Sequence, residues 1–188
     1  MTAPRGTITE VELEFRLVMR KLWEDHVIWG RCYIISVGAD SNDRSATVQR
    51  VRSNHEDIGE SLKPFYGAEV TNTLTALLLE HTNRAAPVIK ALKAGDTVLA
   101  NDAERRWYEN ADELSTFLGS VNPHWPKQEM QAKWYEHLRL SRNEAERRFS
   151  GDYSGDITAF DEAIVQIIAL ADLFSDGIVR QFSNRFDR

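Results

Sequence analysis

Leu74-Thr75-Ala76-Leu77-Leu78-Leu79-Glu80-His81-Thr82-Asn83-Arg84-Ala85-Ala86-Pro87-Val88 decides the fold. Leu74, Leu77, Leu78, Ala85 and Val88 recur at the three- and four-residue steps of an α-helix. His81 falls on that same stripe, which directs an imidazole into packed apolar surroundings. Glu80 lies about 100° round the helix, at the edge of the stripe. The acid-His step occurs twice more, as Asp25-His26 after Trp23-Glu24 and as Glu136-His137 after Tyr135. His26 shares its face with Met19, Leu22, Trp29 and Tyr33, and His137 shares its face with Met130, Trp134 and Ser141.

Working outward, the periodicity predicts six helices and no sheet. Helix 1 covers about Thr9 to Val37, with Thr9 and Glu12 in the pattern of a capping box and Val11, Phe15, Val18 and Leu22 turned inward. Helix 2 covers about Asp43 to Leu62 and is expected to end at Lys63-Pro64, because a residue before proline avoids the α region. Helix 3 covers about Ala68 to Lys93, with a bend expected at Pro87. Helix 4 runs from Thr97 to Leu118, capped by Gly119, and helix 5 runs from Pro126 to Arg148. After the turn-like Ser150 to Asp156, helix 6 runs from Ile157 to Gln181.

The three histidines are evenly spaced, at 55 and 56 residues. Asp57 follows His26 by 31 residues, Asp112 follows His81 by 31, and Asp172 follows His137 by 35. Such a period is that of stacked αα-hairpins. The expected architecture is one all-α domain over 1–188, a six-helix bundle of three αα-hairpin repeats at about 9–66, 67–122 and 126–182. Asp172 stands among Val165, Ile168, Ala169 and Leu173, where a lone carboxylate needs a partner or a proton.

Composition narrows the function classes. Among 188 residues, 42% are hydrophobic and 28% charged, as in a globular domain. A net charge of -6 argues against nucleic acid as a partner. The longest apolar run, Ala163 to Phe174, is interrupted by Gln166 and Asp172 and is too short for a membrane span. A single cysteine, Cys32, excludes an internal disulfide and fits a reducing compartment, so the expected location is cytoplasmic.

Asp25, His26, Asp57, Glu80, His81, Asp112, Glu136, His137 and Asp172 are therefore the candidate site residues. Carboxylate and imidazole groups projecting inward from helices are ligands for a divalent metal, Fe, Mn or Zn. The di-iron spacing Glu-x-x-His is absent, and no nucleophile motif accompanies the histidines, so no reaction is assigned. The alternative is a structural or interaction repeat whose His and Asp pairs only fix packing. Trp23, Trp29, Trp107, Tyr108, Trp134 and Tyr135 could also line a small-molecule or partner cleft. His55 takes the place held by Ala111 and Ala171 in the other copies and is expected outside any shared site; His124 is assigned no role.

Leu22-Trp23-Glu24-Asp25-His26, Asp57-Ile58-Gly59, Leu62-Lys63-Pro64-Phe65-Tyr66-Gly67, Lys93-Ala94-Gly95-Asp96 and Gly177-Ile178-Val179-Arg180-Gln181-Phe182 carry a further likeness. Over most of its length the chain resembles a group of small, uncharacterised bacterial helical proteins. That resemblance implies an all-helical fold and no particular activity. Pro87 is atypical beside the pattern.

Overall fold

Helix α1 (Glu10–Gly38) begins where the capping pattern places it, with the Thr9 hydroxyl accepting from the Glu12 amide at 3.2 Å. The computed structural model describes residues 8–187. Within them follow α2 (Arg44–Ala94), α3 (Thr97–Val121), α4 (Lys127–Phe149), α5 (Tyr153–Gln181) and a 3-10 turn at Ser183–Arg185, with no strand among the described residues. The all-helical expectation holds, but the helix count is five.

The difference lies in α2, which continues through Pro64. Its only residue with non-helical angles is Gly67, at φ 74° and ψ 175°. That backbone region is open essentially to glycine alone, so the change of direction belongs to Gly67. Pro64 and Pro87 each remove one amide donor but stay inside the helix, and the expected stop at Lys63-Pro64 is corrected. Gly119 is likewise inside α3 and caps nothing. A Cβ there would stand 3.3 Å from the Trp125 carbonyl oxygen, so glycine serves close approach of the following loop. Helix α5 starts four residues earlier than expected, because Asp152 caps it by accepting from the Gly155 amide at 3.0 Å.

Each helix packs on the next in sequence, and α5 packs back on α1, so the helices close into a ring. Across that ring α4 also touches α1 and α2. The inward face of α1 is Met19, Trp23, His26 and Val27; Val11 and Val18, expected inside, are exposed. Trp23, Trp134 and Phe174 form the aromatic centre, with Trp23 5.7 Å from Trp134 and 5.1 Å from Phe174 between ring centroids. Trp125 is buried from the α3–α4 loop and donates to the Leu173 carbonyl at 3.2 Å. It occupies the space left by Gly177, where a Cβ would come within 2.1 Å of the indole nitrogen. No helix among the described residues is long and apolar enough to cross a membrane.

Candidate metal centre

The ring brings three histidines from three helices to one point. His26 comes from α1, His81 from α2 beyond Gly67, and His137 from α4. All three are buried, and one ligand atom from each lies within 4.8 Å of those of the other two. His26 Nε2 and His137 Nε2 are 3.2 Å apart. Two nitrogens bound at about 2.05 Å to one tetrahedral zinc ion are separated by about 3.3 Å, so this pair already stands at the spacing of two ligands.

His81 has a defined tautomer. The Trp107 Nε1–H donates to His81 Nε2 at 3.2 Å, and an indole nitrogen can only donate. Nε2 therefore carries the lone pair, and Nδ1–H donates to Asn110 Oδ1 at 3.1 Å. Asn110 donates in turn through Nδ2 to the Leu77 carbonyl at 3.2 Å. An imidazole whose second nitrogen is held by an outer partner is the usual arrangement of a metal ligand.

His26 is held from its far side as well. His55, from the first part of α2, places Nε2 3.0 Å from His26 Nδ1, and its own Nδ1 lies 3.2 Å from Thr82 Oγ1. Expected outside any shared site, His55 instead adjoins it. A row of polar atoms thus runs His137–His26–His55–Thr82. With a metal ion on His26 Nε2, the His26 proton must sit on Nδ1 and point to His55. His137 Nδ1 is buried without a hydrogen-bond partner.

Burial keeps these rings neutral. It pushes the His26 imidazole down to about 4 and, with help from His26, the His81 imidazole down to about 3. His55 and His137 are held well below the usual histidine range, first by burial and then by the neighbouring imidazoles. A neutral ring offers a lone pair at pH 7.

The acids face elsewhere. Asp25 meets Lys21 at 2.5 Å and Arg50 at 3.7 Å, and the exposed Asp57 lies 3.9 Å from Arg50. Glu80 pairs with Arg84 at 2.6 Å, and Glu136 pairs with Arg139 at 2.7 Å. Asp112 accepts from Tyr135 at 2.7 Å and from Gln131 at 2.6 Å. Asp172 takes two bonds of 2.7 Å from Arg20, and its side chain is 36% exposed, so the apolar setting expected for it is corrected and the partner it needs is an arginine at the surface. The rotation of about 100° between an acid and the adjacent histidine carries the acid to the polar rim, where an arginine or lysine one turn away neutralises it.

Buried amides, not acids, accompany the histidines. Asn54 donates to the Leu22 carbonyl at 2.9 Å, Asn110 to Leu77, and Gln166 to the Lys133 carbonyl at 2.8 Å. Each acceptor precedes a histidine of the centre by four residues. The signal was present in sequence as an amide 28 or 29 residues after each histidine. Asn and Gln are common on exposed faces, which hid it beside the more conspicuous acids.

An open-mouthed cavity of about 70 Å³ borders the centre. His26, His81 and His137 all line it, together with Trp107 and Thr82. Much of the remaining lining is aliphatic, from Val27, Ile34, Val48, Val51 and Ile89. Arg31 and Glu144 also border it and bond each other at 2.7 Å. Arg31 further holds Asp156 at 2.6 Å. Burial raises the Glu144 carboxyl to about 7 in spite of Arg31.

No family model matches the chain, and neither does any curated protein or solved structure.

Proposed function

We propose that the protein binds one divalent transition-metal ion through His26, His81 and His137. The carrying observation is the convergence of three buried ligand nitrogens within 4.8 Å from three separate helices. Their neutrality supports the reading, as do the Asn110 and His55 contacts that orient two of the three rings. Imidazole ligands without a carboxylate favour zinc or iron over manganese, and three histidines with an open fourth position are a known zinc arrangement. Loading requires the Trp107 N–H to yield its lone pair on His81, and His81 to close on the other two rings.

The three amide bonds support a finer reading of the architecture. We infer three helical hairpins in one register, 9–66, 67–122 and 126–182, with α2 supplying one arm to each of the first two. Leu22, Leu77 and Lys133 follow the same spacing as the histidines, and Asn54, Asn110 and Gln166 are each 56 residues apart. In this register no extra four residues are needed in the third copy.

A second reading rests on the row His137–His26–His55–Thr82, whose bonds close without any ion. In that case the polar centre sets packing alone. Metal analysis of protein purified without a histidine tag separates the two. We expect about one equivalent of zinc or iron after loading, and a rise in melting temperature that corresponds to about 2.7 kcal/mol at a hundredfold excess over Kd. Replacing His26, His81 and His137 by Gln should abolish both. Less than about a tenth of an equivalent, with no thermal shift on adding Zn, Fe or Mn, leaves the packing reading.

A further inference from the structure

We infer that the cavity beside the histidines is a binding site for a small monoanion with a short apolar tail, its carboxylate on the metal and its tail against the aliphatic wall. The inference rests on the proposed metal site and adds the class of ligand that completes it.

Charge argues for the anion. Imidazole binds a metal as an uncharged ligand, so three histidine ligands leave a bound dication its full charge at the cavity wall. Every acid that accompanies the histidines in sequence is bonded to a partner outside the centre or exposed. The other charged groups on the cavity are Arg31 and Glu144, which face each other, and Arg31 is matched by Asp156 besides. Tyr33 is the remaining titratable neighbour, and burial raises its phenol above its usual value, so it stays neutral. The unmatched charge in this space is thus that of the metal.

Shape argues for the tail. All three histidines border the cavity, so the open coordination position faces into it. Much of the rest of the lining is aliphatic, and Val27, Val51, Ile34 and Ile89 are buried within the fold, a surface that favours hydrocarbon over water. A carboxylate without a tail would leave that surface wet.

The test uses the full chain loaded with Co(II), whose visible d–d bands report a change of inner-sphere ligand. Acetate and hexanoate share one head group, and n-hexanol carries the tail without the charge. Hexanoate should shift the bands at a concentration at least about tenfold below acetate, because four added methylenes enter the apolar wall. n-Hexanol should leave them unmoved at the same concentrations. Ala86 borders the cavity and is half-buried, so Ala86→Trp should fill the space while cobalt and acetate binding persist, and the advantage of hexanoate should vanish. Cobalt bound with hexanoate no tighter than acetate overturns the inference and leaves the metal site standing. An advantage that survives in Ala86→Trp overturns it too, because the tail then lies elsewhere. Failure to bind cobalt at all overturns both.

Discussion

A histidine kept neutral inside a protein links folding to pH. In the unfolded chain each imidazole takes up a proton near pH 6.5. In the folded chain burial holds His26 down to about 4 and His81 down to about 3, with His55 and His137 shifted in the same direction. A depressed folded value contributes stability that is complete above 6.5 and is lost as the pH falls toward the folded value. Each ring that stays neutral costs about 1.4 kcal/mol per pH unit in that window. Glu144 has the opposite sign. Burial raises it to about 7, so its contribution is complete at low pH and is lost as the pH rises through that value. Four imidazoles oppose one carboxyl, so metal-free protein should lose at least about 2 kcal/mol between pH 6.5 and 5. Urea denaturation across that range measures it, and a flat profile would show that the centre admits protons without unfolding.

At the scale of an element, two glycines in long helices make opposite predictions. Gly67 has a φ of 74°, and Gly67→Ala should cost about 1–3 kcal/mol because an alanine there is strained. Gly30 lies inside α1 with nothing within 4 Å of an added Cβ, and Gly30→Ala should stabilise by about 0.5–1 kcal/mol. Urea midpoints at unchanged slope decide both, and equal shifts would mean that α2 does not turn at Gly67. Asn110→Ala removes the acceptor of His81 Nδ1–H and the bond to Leu77, for an expected loss of about 1–3 kcal/mol and weakened zinc binding. Unchanged zinc affinity in a folded Asn110→Ala protein would deny Asn110 its orienting role. The helices themselves were legible, since apolar stripes such as Leu74 to Val88 and the Thr9 cap are local signals. The spacing of His26, His81 and His137 was legible for the same reason. What was not legible is which polar neighbour follows each histidine inside. Glu80 is adjacent in sequence yet turns to Arg84, whereas Asn110 is distant in sequence yet meets the ring. Only the pairing of helices decides that, and sequence adjacency carries no information about it. The break in α2 was misplaced at Pro64 because a proline costs a helix one bond, while Gly67 alone supplies the backbone angles of a turn.

At the scale of the molecule, the centre exists only while the ring of helices is closed, because α1 must return against α4 and α5. The start of α1 and the segment after α5 help, through the Thr9 hydroxyl that donates to the Phe186 carbonyl at 2.7 Å and the packing of Phe15 on Phe186 at 5.3 Å between ring centroids. Deeper in the same seam, Arg31 of α1 binds Glu144 of α4 and Asp156 of α5, with its guanidinium 4.6 Å from the Phe160 ring centroid. Glu144 and Asp156 are 5% and 1% exposed, so removing Arg31 leaves two acids in a poor environment, with Arg148 still 3.3 Å from Asp156. Breaking one side of a buried ionic group typically costs about 3–5 kcal/mol, whereas replacing the group by neutral residues costs far less. Arg31→Met should therefore destabilise by about 3 kcal/mol or more, and adding Glu144→Gln should recover part of that loss, since the amide needs no counter-charge. The double-mutant cycle in urea measures the coupling. If this seam holds the ring shut, Arg31→Met should also lower zinc affinity although Arg31 is no ligand, and the double variant should regain affinity along with stability. A loss below about 1 kcal/mol, or zinc affinity that does not follow stability through the cycle, would mean that the histidines hold their positions without the α1–α4–α5 seam.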